Sequence, residues 1–290
     1  MNKTMVRGAI KSKSIGCDRC RWRGYYVEKK GDIAVARICE CILGTPEHKR
    51  TGCPECGGTG SVLSKNERGY TCIDICSVCG MVRRKVKLYN LAGIPAKYWE
   101  VLQPDTFHPK NGSQQNALTY VKDFVKQYPH RRGFLLMGGP GRGKTHLAIG
   151  AISELTLERG VKCMFKDFFH LLSELKEAYS QGTPENTVLF PLIETEVLVI
   201  DELGKGKSSD WELNILDQLI SKRYNASKTT LATTNYVSRE YIMKKDQEQQ
   251  ILEERVGERI ASRLYEMCEF IYIEGDDHRS EGYKKVKKRT

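Results

Sequence analysis

Two apolar rhythms alternate through the second half of this chain. Short unbroken apolar runs, "GFLLM", "VKCMF", "VLVIDE", "TTLATTN" and "CEFIYI", read as buried strands. Between them, apolar residues recur at helical spacing. "GKTHLAIGAISELTLERG" closes at Gly160 and "FFHLLSELKEAYSQG" at Gly182; "DWELNILDQLISKRYN" follows, and "QILEERVGERIASRLYEM" reads as one long helix. Strands separated by helices imply an α/β fold, a parallel sheet with helices on both faces.

The first part of the chain lacks such runs. From Cys17 to Cys79 it is rich in cysteine, glycine and charge, as expected of a small metal-stapled module. "MVRRKVKLYNLAGIPAKYWEVLQPDTFHPKNGSQQNA" then reads as a connector ending in a polar turn. The expected organisation is a cysteine-rich domain over residues 1–88, a linker with pre-core helices over 89–130, and an α/β core with a reduced lid and a basic tail over 131–290.

Composition narrows the setting. The 290 residues are 40% apolar and 29% charged, which suits a soluble chain with a core to bury. No apolar run approaches the roughly 18 residues of a membrane span, so no membrane partner is expected. The start, "MNKTMVRGAIKSKSIGC", lacks the apolar stretch of a secretory signal, which points to the cytoplasm. The formal charge of +11 suits a polyanionic partner such as nucleic acid. Two zinc–tetrathiolate sites at about −2 each would still leave roughly +7.

Residues 138 to 145 read G-G-P-G-R-G-K-T, after an apolar strand and before a helix. Glycines at 138, 139, 141 and 143 let the backbone wrap a phosphate and aim N–H groups at it, and the helix start adds its dipole. The candidate cofactor-binding set is therefore Gly138, Gly139, Pro140, Gly141, Arg142, Gly143, Lys144, Thr145 and His146. Lys144 is placed on the β/γ-phosphates and Thr145 on Mg²⁺. "VLVIDE" delivers Asp201, which binds Mg²⁺ through water, and Glu202, a base for the attacking water. Asn235 ends the fourth strand, where a polar side chain can hold that water. No N-K-x-D stretch for guanine is present, which favours ATP; paired carboxylates favour hydrolysis over a kinase reaction.

The ordered set of phosphate loop, "VIDE", "TTN" and an arginine-bearing helix resembles an AAA+ ATPase, and more narrowly the DnaC/IstB group of helicase loaders and transposase helpers. "AGIPAKYWE", "LISKRYN" and "GERIASRLY" are similar to segments of that group, and the resemblance covers roughly residues 91 to 283. It implies a ring or spiral in which one subunit's arginine completes its neighbour's site. Arg263 takes that role, supported by Arg259 at i−4 on the same helix face. Arg279 is the candidate second sensor arginine, although little chain follows the last strand to form a full helical lid. The implied function is an ATP-dependent loader that binds single-stranded DNA and a replicative helicase. Its rivals are a transposase-helper ATPase partnered by a transposase or integrase, and a zinc-based chaperone adaptor with a vestigial ATPase.

Nine of the eleven cysteines precede residue 80. Cys17 and Cys20, Cys53 and Cys56, and Cys76 and Cys79 have C-x2-C spacing, while Cys39 and Cys41 are one residue apart. Such repeats signal zinc. The expectation is two zinc ions, one on Cys17, Cys20, Cys39 and Cys41, the other on Cys53, Cys56, Cys76 and Cys79. Interleaved pairing, or Cys72 in place of Cys76, is the alternative. "CPECGGTG" resembles a knuckle of DnaJ-type zinc modules and "CSVCG" a zinc-ribbon knuckle. His48 is a candidate substitute ligand but reads first as a solvated loop residue, and Cys163 and Cys268 read as buried packing residues. Lys205 and Lys207 are candidates for contact with DNA phosphates, and Trp211 either stacks on a base or, the preferred reading, packs as core.

Overall fold

Two short hairpins open the described chain: β1 (Tyr25–Lys30) with β2 (Ile33–Ile38), and β3 (Ser61–Lys65) with β4 (Thr71–Ile75). The computed structural model describes residues 17, 19–21, 23–40, 53, 55–245 and 250–277. Residues 1–26 and 37–82 form one unit, and residues 27–36 and 83–290 a second.

In the first unit the antiparallel β3–β4 hairpin turns Val62 onto the cluster of Cys53, Cys76 and Cys79. On its opposite face Leu63 stands directly across from Ile73, and both are 75% exposed. Alternation along a strand places successive residues on opposite faces, so one side of this hairpin meets the cysteines and the other meets solvent.

The second unit takes in the tip of the first hairpin. The Ala34 N–H donates to Ile94 O at 2.8 Å and the Ala36 N–H to Asn90 Oδ1 at 2.7 Å. The expected connector is more regular than its proline and glycine content suggested. Helix α1 (Gly80–Leu91) runs through the expected boundary at residue 88 and carries a stripe of Val82, Val86 and Tyr89. Two 3-10 turns follow at Ala96–Tyr98 and Pro104–Thr106, and then α2 (Gly112–Gln127), whose N-cap Asn111 accepts from the Gln114 N–H.

All five apolar runs are strands: β5 (Gly133–Met137), β6 (Cys163–Asp167), β7 (Val197–Asp201), β8 (Thr229–Thr234) and β9 (Cys268–Tyr272). They form one parallel sheet in the order β6-β7-β8-β5-β9. Every residue of β5 and β7 is buried, as in a sheet covered on both faces. Between the strands lie α3 (Lys144–Leu157), α4 (Phe168–Ser180), α5 (Glu185–Glu194), α6 (Asp210–Asn225), α7 (Arg239–Lys245), α8 (Leu252–Val256) and α9 (Glu258–Met267). Among the described residues no helix is long and apolar enough to cross a membrane.

One expectation is corrected. "QILEERVGERIASRLYEM" is not one helix: it breaks into α8 and α9 at Gly257, whose φ of +83° lies outside the helical region. The apolar stripe continues through the break, so periodicity alone does not reveal it. Residues 183–195, left unassigned by pattern, hold α5, which begins after Pro184 and contains Pro191 near its end.

The chain leaving β5 runs toward β6, and the chain leaving β8 passes β5 to reach β9. In open α/β sheets the crevice outside the strand ends at such a reversal is where ligands bind.

Candidate nucleotide-binding site and metal centres

At the carboxyl end of β5 the backbone enters the phosphate loop. Gly138, Gly141 and Gly143 have φ of +127°, +70° and +92°. A Cβ would lie 2.4 Å from Ile273 O at Gly138, 1.7 Å from Asp277 Oδ1 at Gly141 and 2.2 Å from Phe107 Cε2 at Gly143. Only glycine fits this cradle. Gly143 is the N-cap of α3 and offers no side-chain cap, whereas α2, α4 and α6 are capped by Asn111, Asp167 and Ser209. The first N–H groups of α3 are thus left for an anion.

Three strand ends bring the polar groups together. The Lys144 ammonium is buried and donates to Gly138 O at 2.6 Å, Gly139 O at 2.7 Å and Asn235 Oδ1 at 2.9 Å. Thr145 Oγ1 donates to Asp201 Oδ1 at 2.9 Å, and Thr233 Oγ1 donates to the same oxygen at 2.5 Å. Burial pushes the Asp201 carboxyl above the ordinary carboxylate range, against the two hydroxyl donors that pull it down. Glu202 follows with φ of +55°; its N–H donates to Thr233 Oγ1 at 3.2 Å and its carboxylate pairs with Lys205.

A cavity of about 210 Å³ is lined by Pro140 through His146 together with Glu202, Thr233, Asn235 and Tyr98. Pro140 to His146, Glu202 and Asn235, which the sequence assigned to one site, therefore share one space; Asp201 lies behind it, bonded to Thr145. Larger clefts elsewhere on the second unit, such as the 620 Å³ one around Arg131 and Lys228, hold none of them.

Two members of the loop use their side chains differently from a simple phosphate cradle. Arg142 turns back to β9, donating to Tyr272 Oη at 3.1 Å and Ile273 O at 3.0 Å. His146 lines the cavity, but its Nε2 lies 2.8 Å from Thr106 Oγ1 and its ring packs against Phe107. Burial lowers the His146 pKa, favouring a neutral ring.

Arg263 and Arg259 do share a helix face, and both meet Asp217 of α6, Arg263 at 3.0 Å and Arg259 at 3.7 Å. Neither lines the cavity of its own chain. Arg279 lies outside the described residues, as do Cys41 and His48. Lys205 and Lys207 are exposed. Trp211 is half-buried against the core; the Tyr179 ring meets it edge-on and the Lys176 ammonium lies 5.2 Å from its centroid.

Sequence reasoning missed several supports. Thr233 orients Asp201, and a run of threonines entering a strand end was the available signal. Arg223 is fully buried in α6. Its guanidinium donates to Thr230 Oγ1, Leu192 O, Ile193 O, Thr195 O and Thr229 O, stapling α5, α6 and β8. Its position on the stripe of Leu216, Leu219 and Ile220 marked it as inward-facing.

In the first unit, the sulfurs of Cys53, Cys56, Cys76 and Cys79 lie within 4.8 Å of one another, with Cys53–Cys76 at 3.7 Å and Cys56–Cys79 at 3.5 Å. A tetrahedral zinc with Zn–S of about 2.3 Å has sulfurs about 3.8 Å apart, so the set fits that ion. Glu55, inside the first knuckle, accepts from the Cys76 thiol at 2.9 Å, and from Ser77 Oγ and the Val78 N–H, all of the second, which holds its carboxyl below the usual range. Cys17, Cys20 and Cys39 converge within the same limit, with Cys17–Cys39 at 3.6 Å. The groupings are sequential, and Cys72 stays apart with its thiol directed to Tyr70 O. Cys163 and Cys268 are buried, and burial raises both thiols, Cys268 to about 12.

Strand order, glycine cradle, buried lysine and carboxylate strand define a P-loop nucleotide-binding protein of the AAA+ type. A family model described as IstB-like ATP binding protein matches residues 82–286, and the chain belongs to that family. Among curated proteins it is similar to the replicative helicase loader DnaC of Escherichia coli (strain K12), 32% identical over 124 residues, 42% of this chain and 50% of that protein. The phage-like element PBSX protein XkdC of Bacillus subtilis (strain 168) is 26% identical over 253 residues, 81% of this chain and 88% of that protein. A solved structure described as the DnaC helicase loader is 35% identical, with a TM-score of 0.54 over 61% of this chain and 99% of that one. The chain thus spans about half the length of the DnaC sequences it matches.

Proposed function

We propose that this chain is an ATP-hydrolysing helicase loader that works in the cytoplasm. It assembles with ATP on single-stranded DNA as a ring or spiral, holds a replicative helicase, and releases it on hydrolysis. The observation that carries the ATPase reading is the meeting of Lys144, Thr145, Glu202 and Asn235 around one cavity, with Asp201 bonded to Thr145 behind it. Lys144 leaves its carbonyl partners for the β- and γ-phosphates. Asn235 holds the attacking water and Glu202 takes its proton as ADP and phosphate form. Thr145 and Asp201 hold Mg²⁺, which neutralises charge on the phosphates when bound.

Arg263, with Arg259 beside it, exchanges Asp217 for a neighbour's γ-phosphate in the assembly, and Arg279 serves as second sensor. The two cysteine groups hold zinc, with Cys41 completing the first. Lys205, Lys207 and the Lys176–Trp211 pair offer cations beside an aromatic ring, a combination suited to single-stranded DNA. Similarity to DnaC over its whole solved chain supports the helicase partner. A second reading, a helper of a transposase, is favoured by the IstB-like family model.

Lys144→Ala abolishes ATP binding in this reading, and Glu202→Gln binds ATP but traps DNA and partner. Purifying the Glu202→Gln protein with ATP and identifying what remains bound tests both partners: a hexameric helicase supports the first reading and a transposase the second. Ordinary ATP turnover in both variants would overturn the site assignment.

A further inference from the structure

The turn after Glu202 is held from a distance. Arg255, in α8, donates to Gly204 O from Nε at 3.2 Å and from Nη2 at 3.1 Å, and Nη2 also donates to Gly206 O. Its own carbonyl accepts from Ser208 Oγ at 3.1 Å. The guanidinium lies 5.2 Å from the centroid of the Tyr236 ring. Gly204 fits against both, since a Cβ there would come within 3.2 Å of Arg255 Cβ and of the Tyr236 ring. Tyr236 directly follows Asn235. One side chain therefore grips the backbone after the candidate base and the ring after the candidate water-holding asparagine.

The turn is tied to β8 at its start, where the Leu203 N–H donates to Thr233 O at 2.8 Å and Leu203 O accepts from Thr234 Oγ1 at 2.8 Å. Beyond the buried Leu203, Arg255 is the side chain that holds its carbonyls. Glu202, Gly204 and Gly206 all have positive φ, +55°, +81° and +144°. The turn closes on itself through the Lys205 N–H to Glu202 O at 3.0 Å. Gly204 and Gly206 flank Lys205, whose ammonium pairs with the Glu202 carboxylate. Arginine's planar fork can hold two neighbouring carbonyls at a fixed spacing, which a lysine cannot.

We propose that Arg255 is a positioning residue for ATP hydrolysis: it clamps the turn at residues 204–206 and so aims the Glu202 carboxylate into the nucleotide cavity. The role rests on the reading of Glu202 as the base. Arg255 does not line the cavity. Its loss therefore leaves nucleotide binding alone and misaligns the base, and a misplacement of about 1 Å can cost about 100-fold in rate.

Arg255→Ala and Arg255→Lys in the full chain test this. In Arg255→Ala the kcat for ATP hydrolysis falls about 10- to 100-fold, while KM and the Kd for a fluorescent ATP analogue stay within about threefold. Added guanidinium ion restores part of the lost turnover, and Arg255→Lys is intermediate. Amide hydrogen exchange supplies a readout independent of turnover: residues 204–206 exchange faster in Arg255→Ala while Leu203, β7 and β8 keep their protection. Unchanged exchange in the turn overturns the clamp whatever the enzyme does. Parallel loss of kcat and ATP affinity, without guanidinium rescue, overturns the positioning role in favour of a structural one. Undiminished turnover in Glu202→Gln instead sinks the assignment of the base and leaves the exchange experiment to judge the clamp.

Discussion

The two units of this chain are stabilised by different physics. In the second, five strands lie in one sheet in which β5 and β7 are buried end to end, with Leu216, Leu219, Ile220 and Leu264 packed among the core residues around it. In the first, the buried apolar side chains among the described residues are Tyr25, Cys20, Cys39, Cys53, Cys76 and Cys79. Larger apolar groups there, Leu63, Tyr70 and Ile73, face solvent. A core made of thiols buries little surface, and its cysteines converge in groups that could hold metal ions, which would supply what burial does not. The comparison teaches that nucleotide chemistry sits on the self-sufficient unit.

Removing metal tests that difference most severely. A strong chelator, or paired Cys76→Ser and Cys79→Ser substitutions, should unfold the first unit, because a structural zinc supplies on the order of 10 kcal/mol. Hydrogen exchange over β3 and β4 would rise to the unfolded rate. ATP binding and the exchange of β5, β7 and β8 should stay as they were; their loss would mean that the second unit depends on the first.

Within the second unit the largest single effect is expected at Arg223. Arg223→Ala leaves four buried carbonyls and a hydroxyl without their donor, at a cost of about 3–5 kcal/mol in urea unfolding. A loss under about 1 kcal/mol would show that water replaces the guanidinium there. Ser209→Ala removes the capping box of α6, in which Ser209 and Glu212 satisfy each other's backbone N–H groups, and should cost about 1 kcal/mol. Asp217→Ala comes last: a half-exposed partner of two arginines contributes under about 1 kcal/mol to stability. If Arg263 acts on a neighbour, freeing it from Asp217 should change turnover far more than unfolding.

What was legible followed from locality. The phosphate loop and "VLVIDE" each pack apolar run and chemistry into a few consecutive residues, so strand and ligand groups could be read together. The C-x2-C pairs were readable for the same reason; among the described residues Cys53, Cys56, Cys76 and Cys79 lie together, as do Cys17, Cys20 and Cys39, while Cys41 lies outside them. The stretch from Gln250 to Met267 misled because its apolar stripe runs through Gly257, whose backbone conformation breaks the helix. His146 and Arg142 were assigned as loop members, but their side chains are taken by Thr106 and β9, partners 40 and 130 residues away.

Sequence alone thus determined the alternation of strands and helices, the glycines that only a cradle needs, and the residue types able to meet a triphosphate or a metal, since each is encoded within one turn or one strand. Tertiary structure decided that β8 lies between β5 and β7, so that Lys144 meets Asn235, and Thr145 and Thr233 meet Asp201. It also decided that Arg255 reaches back 51 residues to hold the turn behind Glu202. Such pairings depend on the order in which strands pack, and a linear pattern carries no record of that order.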